Sequence, residues 1–437
     1  MNETTELYER AKRRIPGGTQ LLSKRPEMFL PGEWPAYYRR ARGVEIEDLD
    51  GRTWIDVTIG AVGSCPLGYA DPDVNAAVVE AVRCGPMTTL NCPEEVELAE
   101  LLCELHPWAE MVRYARTGGE VMAMAARLAR AATGRDVVAI SGYHGWHDWY
   151  LAANLSDDRA LDGHLLAGLD PAGVPRGLEG TAVTFPHGDR AAFDAVTTAH
   201  GDRLAAVIME PMRKAPPPAG FLEHVRTTAN RLGAVLVFDE ITSGFRMNVG
   251  GLHMRLGATP DVAVFAKAIG NGHPMAAVVG RREVMEAAQD TFISSTYWTE
   301  RIGPTAALAT IRKMRDHDVP ARLVATGRRM REGWQRLAGL HGLEIEVGGI
   351  PPLSTFTYRH GDASRAMTTL YTQEMLDRGF LASGAFYAMY AHESRHVDAA
   401  LTAADEAFAR IRSDLDRGSV EESLRGPVAH EGFKRLT

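Results

Sequence analysis

The sequence predicts an α/β protein with a large domain built on a mostly parallel sheet and a smaller α+β domain. Short apolar strands begin near residues 137, 205, 234, 262 and 276, with the sequences VVAI, AAVIM, AVLVFD, VAVFA and AAVV. Alanine-rich helical segments such as VMAMAARLARAA alternate with them. This alternation is typical of a parallel sheet covered by helices on both faces.

The two ends of the chain have a different pattern. The segment ELYERAKRRI has helical spacing up to Pro16, and VEIEDLDGRTWIDVT alternates around an Asp-Gly turn, which favours a β-hairpin. Beyond about residue 305, long helices dominate, the last of them VDAALTAADEAFARIRSDL. We therefore expect a large domain at 72–310 and a small domain formed by 1–71 and 311–437.

Composition and charge limit the functional classes. The chain has 437 residues and a net charge of -8, with no basic block or stripe, so neither nucleic acid nor a membrane surface is an expected partner. The first residues lack the apolar core of a signal peptide, and we expect a cytoplasmic protein. The four cysteines form no CxxC pair, and no metal site is expected.

Lys267 stands out among the six lysines because it follows the apolar segment Val-Ala-Val-Phe-Ala. Partial desolvation there would lower its pKa and make the amine a better nucleophile. A lysine at the end of a strand can also simply extend its ammonium group to solvent. The stretch alone leaves both interpretations open.

Other chemical groups lie at neighbouring strand ends. Asp239 ends AVLVFD, and a carboxylate there either needs a cationic or hydrogen-bonding partner or caps the next helix. Tyr143 and His144 follow VVAI and could either stack on a planar cofactor or form a core cluster. Gly118 and Gly119 lie at the start of a helix, where they could either bind an anion or form an ordinary N-cap turn. Pyridoxal 5'-phosphate (PLP) needs the four groups found here: an amine, a carboxylate, an aromatic side chain that stacks on its ring and a phosphate-binding site.

The chain resembles the class III, fold-type I PLP-dependent aminotransferases, in the branch similar to glutamate-1-semialdehyde 2,1-aminomutase. The resemblance extends over nearly the whole chain and is most specific in the pairing of FDEITSGFR with AKAIGNGHPMAAVVG. TGGEVMAMAARLARAATGR, YHGWHD, IMEPM and STYW also carry it. It implies a fold-type I architecture and a homodimer with shared active sites.

The resemblance assigns roles to individual residues. Lys267 resembles the lysine that forms the Schiff base with the cofactor and later moves the proton, and Asp239 the partner of the pyridinium nitrogen. Tyr143 and Ile241 match the residues that flank the cofactor ring.

The phosphate-binding turn corresponds to Gly118 and Gly119. Thr296 matches the threonine that reaches the phosphate from the neighbouring subunit. His144 adjoins the ring-stacking position and is a further candidate for cofactor binding, and Glu210 is expected to brace the site.

Three departures from the family pattern bear on the substrate. Lys24 aligns with an arginine that takes the substrate carboxylate, although a slip of one residue would place Arg25 there. The segment WTERIG replaces the usual Gly-Asn-Pro after Thr296, and Asn271 and His273 introduce polar groups into the lysine loop. A polar loop suits a hydroxylated substrate.

These features favour an aminotransferase that moves an amino group from an amino acid, with L-glutamate as the expected donor, to a small-molecule carbonyl acceptor. A keto- or aldehydo-sugar or a specialised metabolite is the expected acceptor. The alternatives are an intramolecular aminomutase of the glutamate-1-semialdehyde type, a PLP-dependent epimerase, and a catalytically silent cofactor-binding protein.

Overall fold

The computed structural model describes residues 3–164, 167–212 and 215–432. The strands are β1 (Tyr38–Arg42), β2 (Glu45–Asp48), β3 (Thr53–Asp56), β4 (Met111–Ala115), β5 (Val137–Ser141), β6 (Ala182–Thr184), β7 (Leu204–Met209), β8 (Val235–Asp239), β9 (Val262–Phe265), β10 (Ala276–Gly280), β11 (Ile345–Gly348), β12 (Leu353–Tyr358), β13 (Phe380–Leu381) and β14 (Ala385–Tyr387). The helices are α1 (Glu3–Lys12), α2 (Gly60–Gly63), α3 (Pro72–Arg83), α4 (Pro93–Leu105), α5 (Gly118–Thr133), α6 (Asp148–Leu151), α7 (Arg190–His200), α8 (Phe221–Leu232), α9 (Arg282–Met285), α10 (Ile302–Asp316), α11 (Val319–Leu340), α12 (Ala363–Asp377) and α13 (Ser394–Arg417).

These elements form two compact units, one of residues 72–320 and one of residues 1–71 with 321–437. The larger unit contains a seven-stranded sheet with the order β4-β10-β9-β8-β7-β5-β6. Four neighbouring pairs, from β9 through β8, β7 and β5 to β6, are parallel. Strand β10 runs antiparallel to both of its neighbours, β4 and β9. The mostly parallel sheet predicted from the sequence is confirmed, and so are its five predicted strands.

Strands β7 and β9 are buried and apolar at every position, as expected where both faces of a sheet are covered. In β5, Val138 and Ile140 belong to a core cluster that includes α5, whereas Val137 and Ala139 belong to a second cluster that includes α8. Successive side chains of a strand point to opposite faces, so one strand contributes to both clusters. The parallel strands therefore present their carboxyl ends at one edge, where ligands bind in sheets of this kind.

The smaller unit has two sheets of its own, with the orders β1-β2-β3-β13 and β11-β12-β14. The predicted hairpin is present as the antiparallel pair β2 and β3. Helix α1 ends at Lys12, four residues before Pro16. Within the described ranges, no helix combines the length and apolarity needed to cross a membrane.

Helix α11 of the smaller unit allows a direct test of packing. A methyl group added at Gly327 would lie 1.7 Å from the carbonyl oxygen of Pro351, whereas one added at Gly339 of the same helix meets nothing within 4 Å. Gly327→Ala should therefore cost about 2 kcal/mol or more of unfolding free energy, because backbone has to move. Gly339→Ala should stabilise by about 0.5–1 kcal/mol through helix propensity. Urea unfolding of both variants measures the difference, and equal effects would contradict the packing at Gly327.

Candidate active site

The predicted site residues of the larger unit lie at the carboxyl ends of its strands. Asp239 is the last residue of β8, and Lys267 follows β9 after one intervening residue. Tyr143 and His144 follow β5 in the same way. Because β5, β8 and β9 belong to the parallel part of one sheet, these residues share one edge of it.

Asp239 is held by two hydrogen bonds. Its Oδ2 atom lies 2.7 Å from Nδ1 of His144, and its Oδ1 atom accepts the N–H of Ile241 at 3.0 Å. A carboxylate only accepts hydrogen bonds, so Nδ1 of His144 carries a proton. Both side chains are buried. The structure thus places the His144 ring in direct contact with the carboxylate of Asp239.

Lys267 has the surroundings of an activated amine. Burial lowers the pKa of Lys267, the charge of Arg246 lowers this pKa further, and the carboxylates of Asp239 and Glu210 partly oppose the shift. The Nζ atom donates a hydrogen bond to Oγ1 of Thr242 at 2.9 Å. The lysine also has a left-handed backbone, with φ of 48°, at the start of the 3-10 turn Lys267–Gly270. Such strain is often found at functional positions.

The glycine turn is a tightly packed helix start. Thr117 caps α5, and Thr117 and Glu120 form reciprocal hydrogen bonds. A methyl group at Gly118 would lie 3.1 Å from Cδ1 of Ile241, and one at Gly119 would lie 2.7 Å from Cε1 of His147. A side chain at position 119 would therefore force His147 to move, and one at position 118 would crowd Ile241. The first turn of a helix has free N–H groups that can bind an anion.

The two predicted ring-flanking residues also lie in this region. Tyr143 and Ile241 are both half-buried and pack against the core cluster that contains α5. Burial raises the pKa of Tyr143, and the Asp239 carboxylate adds to this effect. The N–H of Tyr143 donates to Oε2 of Glu210 at 3.4 Å, which is consistent with a bracing role for Glu210.

Thr296 differs from the other predicted residues because its side chain is exposed. It begins the 3-10 turn Thr296–Thr299, and its carbonyl oxygen accepts the Thr299 hydroxyl at 2.9 Å. An exposed hydroxyl is what a role at the site of a second subunit requires.

Sequence reasoning missed two residues, Thr242 and Arg246. Thr242 accepts the hydrogen bond of Lys267, and the charge of Arg246 lowers the pKa of Lys267. Both lie in FDEITSGFR, and Nε of Arg246 donates to the Thr242 carbonyl at 2.9 Å. The sequence feature that could have indicated Thr242 is a hydroxyl residue three positions after Asp239. The segment is a turn, so sequence periodicity does not indicate which side chain faces Lys267.

A buried network supports the turn that follows Asp239. Oε1 of Glu240 accepts the backbone N–H of His253 at 2.7 Å and lies 2.9 Å from its Nδ1 atom. The indole of Trp108 donates to Nε2 of His253 at 3.0 Å, so Nδ1 is the protonated nitrogen. The His253 contacts help to hold the pKa of Glu240 below its usual value despite complete burial. The segment between Asp239 and Arg246 is thereby fixed to the core.

These residues fit PLP. The half-buried Lys267, whose amine has a lowered pKa, the Asp239 carboxylate held by His144 and the close-packed glycine turn would suit its aldehyde, ring nitrogen and phosphate. Among the residues that the structure covers, no cluster of three potential metal ligands occurs.

Comparison with known proteins identifies the family. Residues 31–350 match the family model described as aminotransferase class-III, and the chain belongs to this family. Its cofactor is PLP, as in the other class III aminotransferases. The predicted family and fold are confirmed.

Three relatives cover nearly the whole chain. A 3-aminobutyryl-CoA aminotransferase of Cloacimonas acidaminovorans (strain Evry) is 30% identical over 94% of this chain and 97% of its own. A 2'-deamino-2'-hydroxyneamine transaminase of Streptomyces kanamyceticus is 34% identical over 88% and 92% of the two chains. A glutamate-1-semialdehyde 2,1-aminomutase of Dechloromonas aromatica (strain RCB) is 33% identical over 93% and 99%.

A solved structure supports the same fold. The PLP internal aldimine form of the FumI protein of Sphingopyxis sp. MTA144 matches with a TM-score of 0.85 and 26% identity. The match covers 94% of this chain and 97% of the other.

The network beside the site predicts a pH effect on stability. Burial lowers the pKa of His106 to about 4, and its Nε2 atom accepts the N–H of Gly251 at 2.9 Å, which requires an unprotonated nitrogen. The unfolded histidine binds a proton below pH 6.5 and the folded one only near pH 4, so stability falls as the pH drops between these values. His106 should contribute about 3 kcal/mol to this loss.

The measurement is urea unfolding of wild type and His106→Gln at several pH values between 7.5 and 4.5. The variant should be less stable at pH 7.5 and lose less on acidification. His200→Gln, at the partly exposed end of α7, is the control and should keep the wild-type slope. An unchanged slope in His106→Gln would show that His106 does not carry the effect.

Proposed function

We propose that this protein transfers an amino group from L-glutamate to a ketone or aldehyde group of a polyhydroxylated small molecule. The observation that carries the transfer chemistry is the buried Lys267 amine, which is placed under the electrostatic influence of Asp239 and hydrogen-bonded to Thr242. When bound, PLP supplies an aldehyde and a ring that stabilises negative charge on the carbon that loses a proton.

The roles of the two central residues follow from their surroundings. Lys267 would hold the cofactor through its amine, whose lowered pKa favours the nucleophilic form, and the same amine would move a proton from the donor carbon. Asp239 would accept a hydrogen bond from the ring nitrogen and so favour its protonated form. His144, whose Nδ1 atom lies 2.7 Å from Oδ2 of Asp239, holds the carboxylate in place.

The other predicted residues position the cofactor. Gly118 and Gly119 direct backbone N–H groups of the α5 start to the phosphate, while Tyr143 and Ile241 flank the ring. Thr296 is proposed to bind the phosphate of the cofactor in the active site of a second copy of the chain. The proposed active form is therefore a homodimer with shared sites. The exposed position of Thr296 supports this arrangement.

The proposal for the acceptor rests on the chain and on one relative. The lysine loop carries Asn271, which is buried, and His273, whose pKa is lowered by burial. Polar groups in this loop suit a substrate with hydroxyl groups, and the name of the Streptomyces relative indicates an aminoglycoside-type substrate. An intramolecular amino shift is the second candidate because one relative is an aminomutase.

The first test measures the amino donor. Incubation with L-glutamate and no acceptor should release 2-oxoglutarate in an amount equal to that of the cofactor-loaded chain, because the amino group stays on the enzyme. Lys267→Ala should release none, since it lacks the amine that moves the proton, and D-glutamate is the stereochemical control. An enzyme that releases no 2-oxoglutarate but isomerises an amino aldehyde without a donor would support the aminomutase instead.

The second test concerns the charge of Asp239. Asp239→Asn should keep bound PLP, because the phosphate and lysine contacts remain, but should lower kcat by about 100-fold or more, since an amide cannot hold the ring nitrogen protonated. Cofactor content by absorption and kcat under saturating donor separate the two effects. A kcat equal to that of wild type would exclude the proposed role of Asp239.

A further inference from the structure

Arg116, the residue before the helix cap Thr117, has a nearly buried guanidinium group that contacts several segments. Its Nε atom donates to Oε1 of Glu300 at 2.7 Å, and one terminal nitrogen donates to the carbonyls of Trp298 and Glu300 at 3.0 and 2.9 Å. The other donates to the Ala115 carbonyl at 3.1 Å and lies 3.6 Å from the sulfur of Met275. A single side chain therefore joins the end of β4, the 298–300 segment and the loop after Lys267.

Glu300 extends these contacts to helix α10. Its Oε1 atom accepts the N–H of Gly303 at 2.9 Å, and its Oε2 atom accepts the N–H of Ile302 at 2.6 Å. A methyl group at Gly303 would lie 2.8 Å from the carbonyl of Pro274 and 2.8 Å from Oε1 of Glu300. The start of α10 is thus packed closely against both Glu300 and the lysine loop.

The ion pair is well shielded from water. The Arg116 side chain is 9% exposed and the Glu300 side chain 16%. A buried pair costs desolvation energy when it forms, so it is weak evidence for stability by itself. Removing one partner leaves an uncompensated charge, and the elements that this charge joins then have to rearrange. The pair therefore holds the elements that it joins in their observed arrangement.

We propose that Arg116 and Glu300 are positioning residues that fix the phosphate turn, the segment of Thr296 and the loop of Lys267 relative to one another, and so retain PLP. Glu300 belongs to the segment WTERIG, which departs from the family pattern. The inference rests on the proposed phosphate-binding roles of Gly118, Gly119 and Thr296. Neither Arg116 nor Glu300 has to touch the cofactor.

Glu94 provides a matched control. Its carboxylate binds Arg301 at 2.6 Å, and its side chain is 16% exposed, as is that of Glu300. Arg301 adjoins Glu300 in the sequence, so this second ion pair anchors the same stretch of chain. It joins that stretch to α4 and not to the phosphate turn. Glu300→Gln and Glu94→Gln therefore each remove one carboxylate of similar exposure. The first contacts Arg116 next to the phosphate turn, and the second joins Arg301 to α4.

The experiment measures the dissociation constant of PLP by titration of the apoenzyme, together with the thermal unfolding midpoint of each apoprotein. Glu300→Gln should weaken PLP binding by about ten-fold or more, whereas Glu94→Gln should stay within about two-fold of wild type. The unfolding midpoints of the two apoproteins should fall by similar amounts. Arg116→Lys, which keeps the charge but loses the planar set of donors, should give an intermediate loss of PLP binding.

Equal PLP affinity in Glu300→Gln and Glu94→Gln would overturn the proposal. If Glu300→Gln does not fold, Arg116→Lys takes its place, and wild-type PLP affinity in that variant would overturn the proposal as well. The result is independent of the reaction assigned to the enzyme. A wild type that releases no 2-oxoglutarate from L-glutamate would refute the proposed donor, while the comparison of PLP affinities would still decide the role of the pair.

Discussion

The burial of the Lys267 amine at the carboxyl edge of the parallel sheet is the constraint on which the rest of the site depends. A buried ammonium is costly, and the pKa of Lys267 falls because burial and the charge of Arg246 disfavour its protonation. Asp239 and Glu210 limit this fall. The result is an amine that loses its proton more readily than an exposed lysine does, under the influence of the Asp239 carboxylate.

Long-range contacts keep this arrangement in place. Asp239 is held by His144 from the end of β5, and Glu240 by His253, whose ring accepts the indole proton of Trp108. Arg116 and Glu300 connect the glycine turn to the start of α10 in the same unit. The contacts of Asp239 with His144, of His253 with Trp108 and of Arg116 with Glu300 join residues that are far apart in the sequence. They act on strand ends or turns, where the sheet ladder does not fix the backbone.

Local sequence explains what could be predicted. The strands around Val138 and Val264 are apolar at every position because both faces are covered, and Lys267 and Asp239 interrupt that pattern where their strands end. The antiparallel direction of β10 could not be predicted, because the apolar sequence AAVV is compatible with either direction. The contact of Thr242 with Lys267 was also unpredictable, because its geometry depends on a left-handed lysine. The family resemblance supplied Thr296, whose proposed role involves a second copy of the chain.

The contact between Ile241 and the glycine turn has a consequence for redesign of the enzyme. With only 3.1 Å between Cδ1 of Ile241 and a methyl group at Gly118, the side chain proposed to flank the ring is also the one against which the phosphate turn rests. A substitution at position 241 therefore changes the surroundings of the turn as well as those of the proposed ring site. Reshaping the ring site from position 143 avoids this particular contact with Gly118.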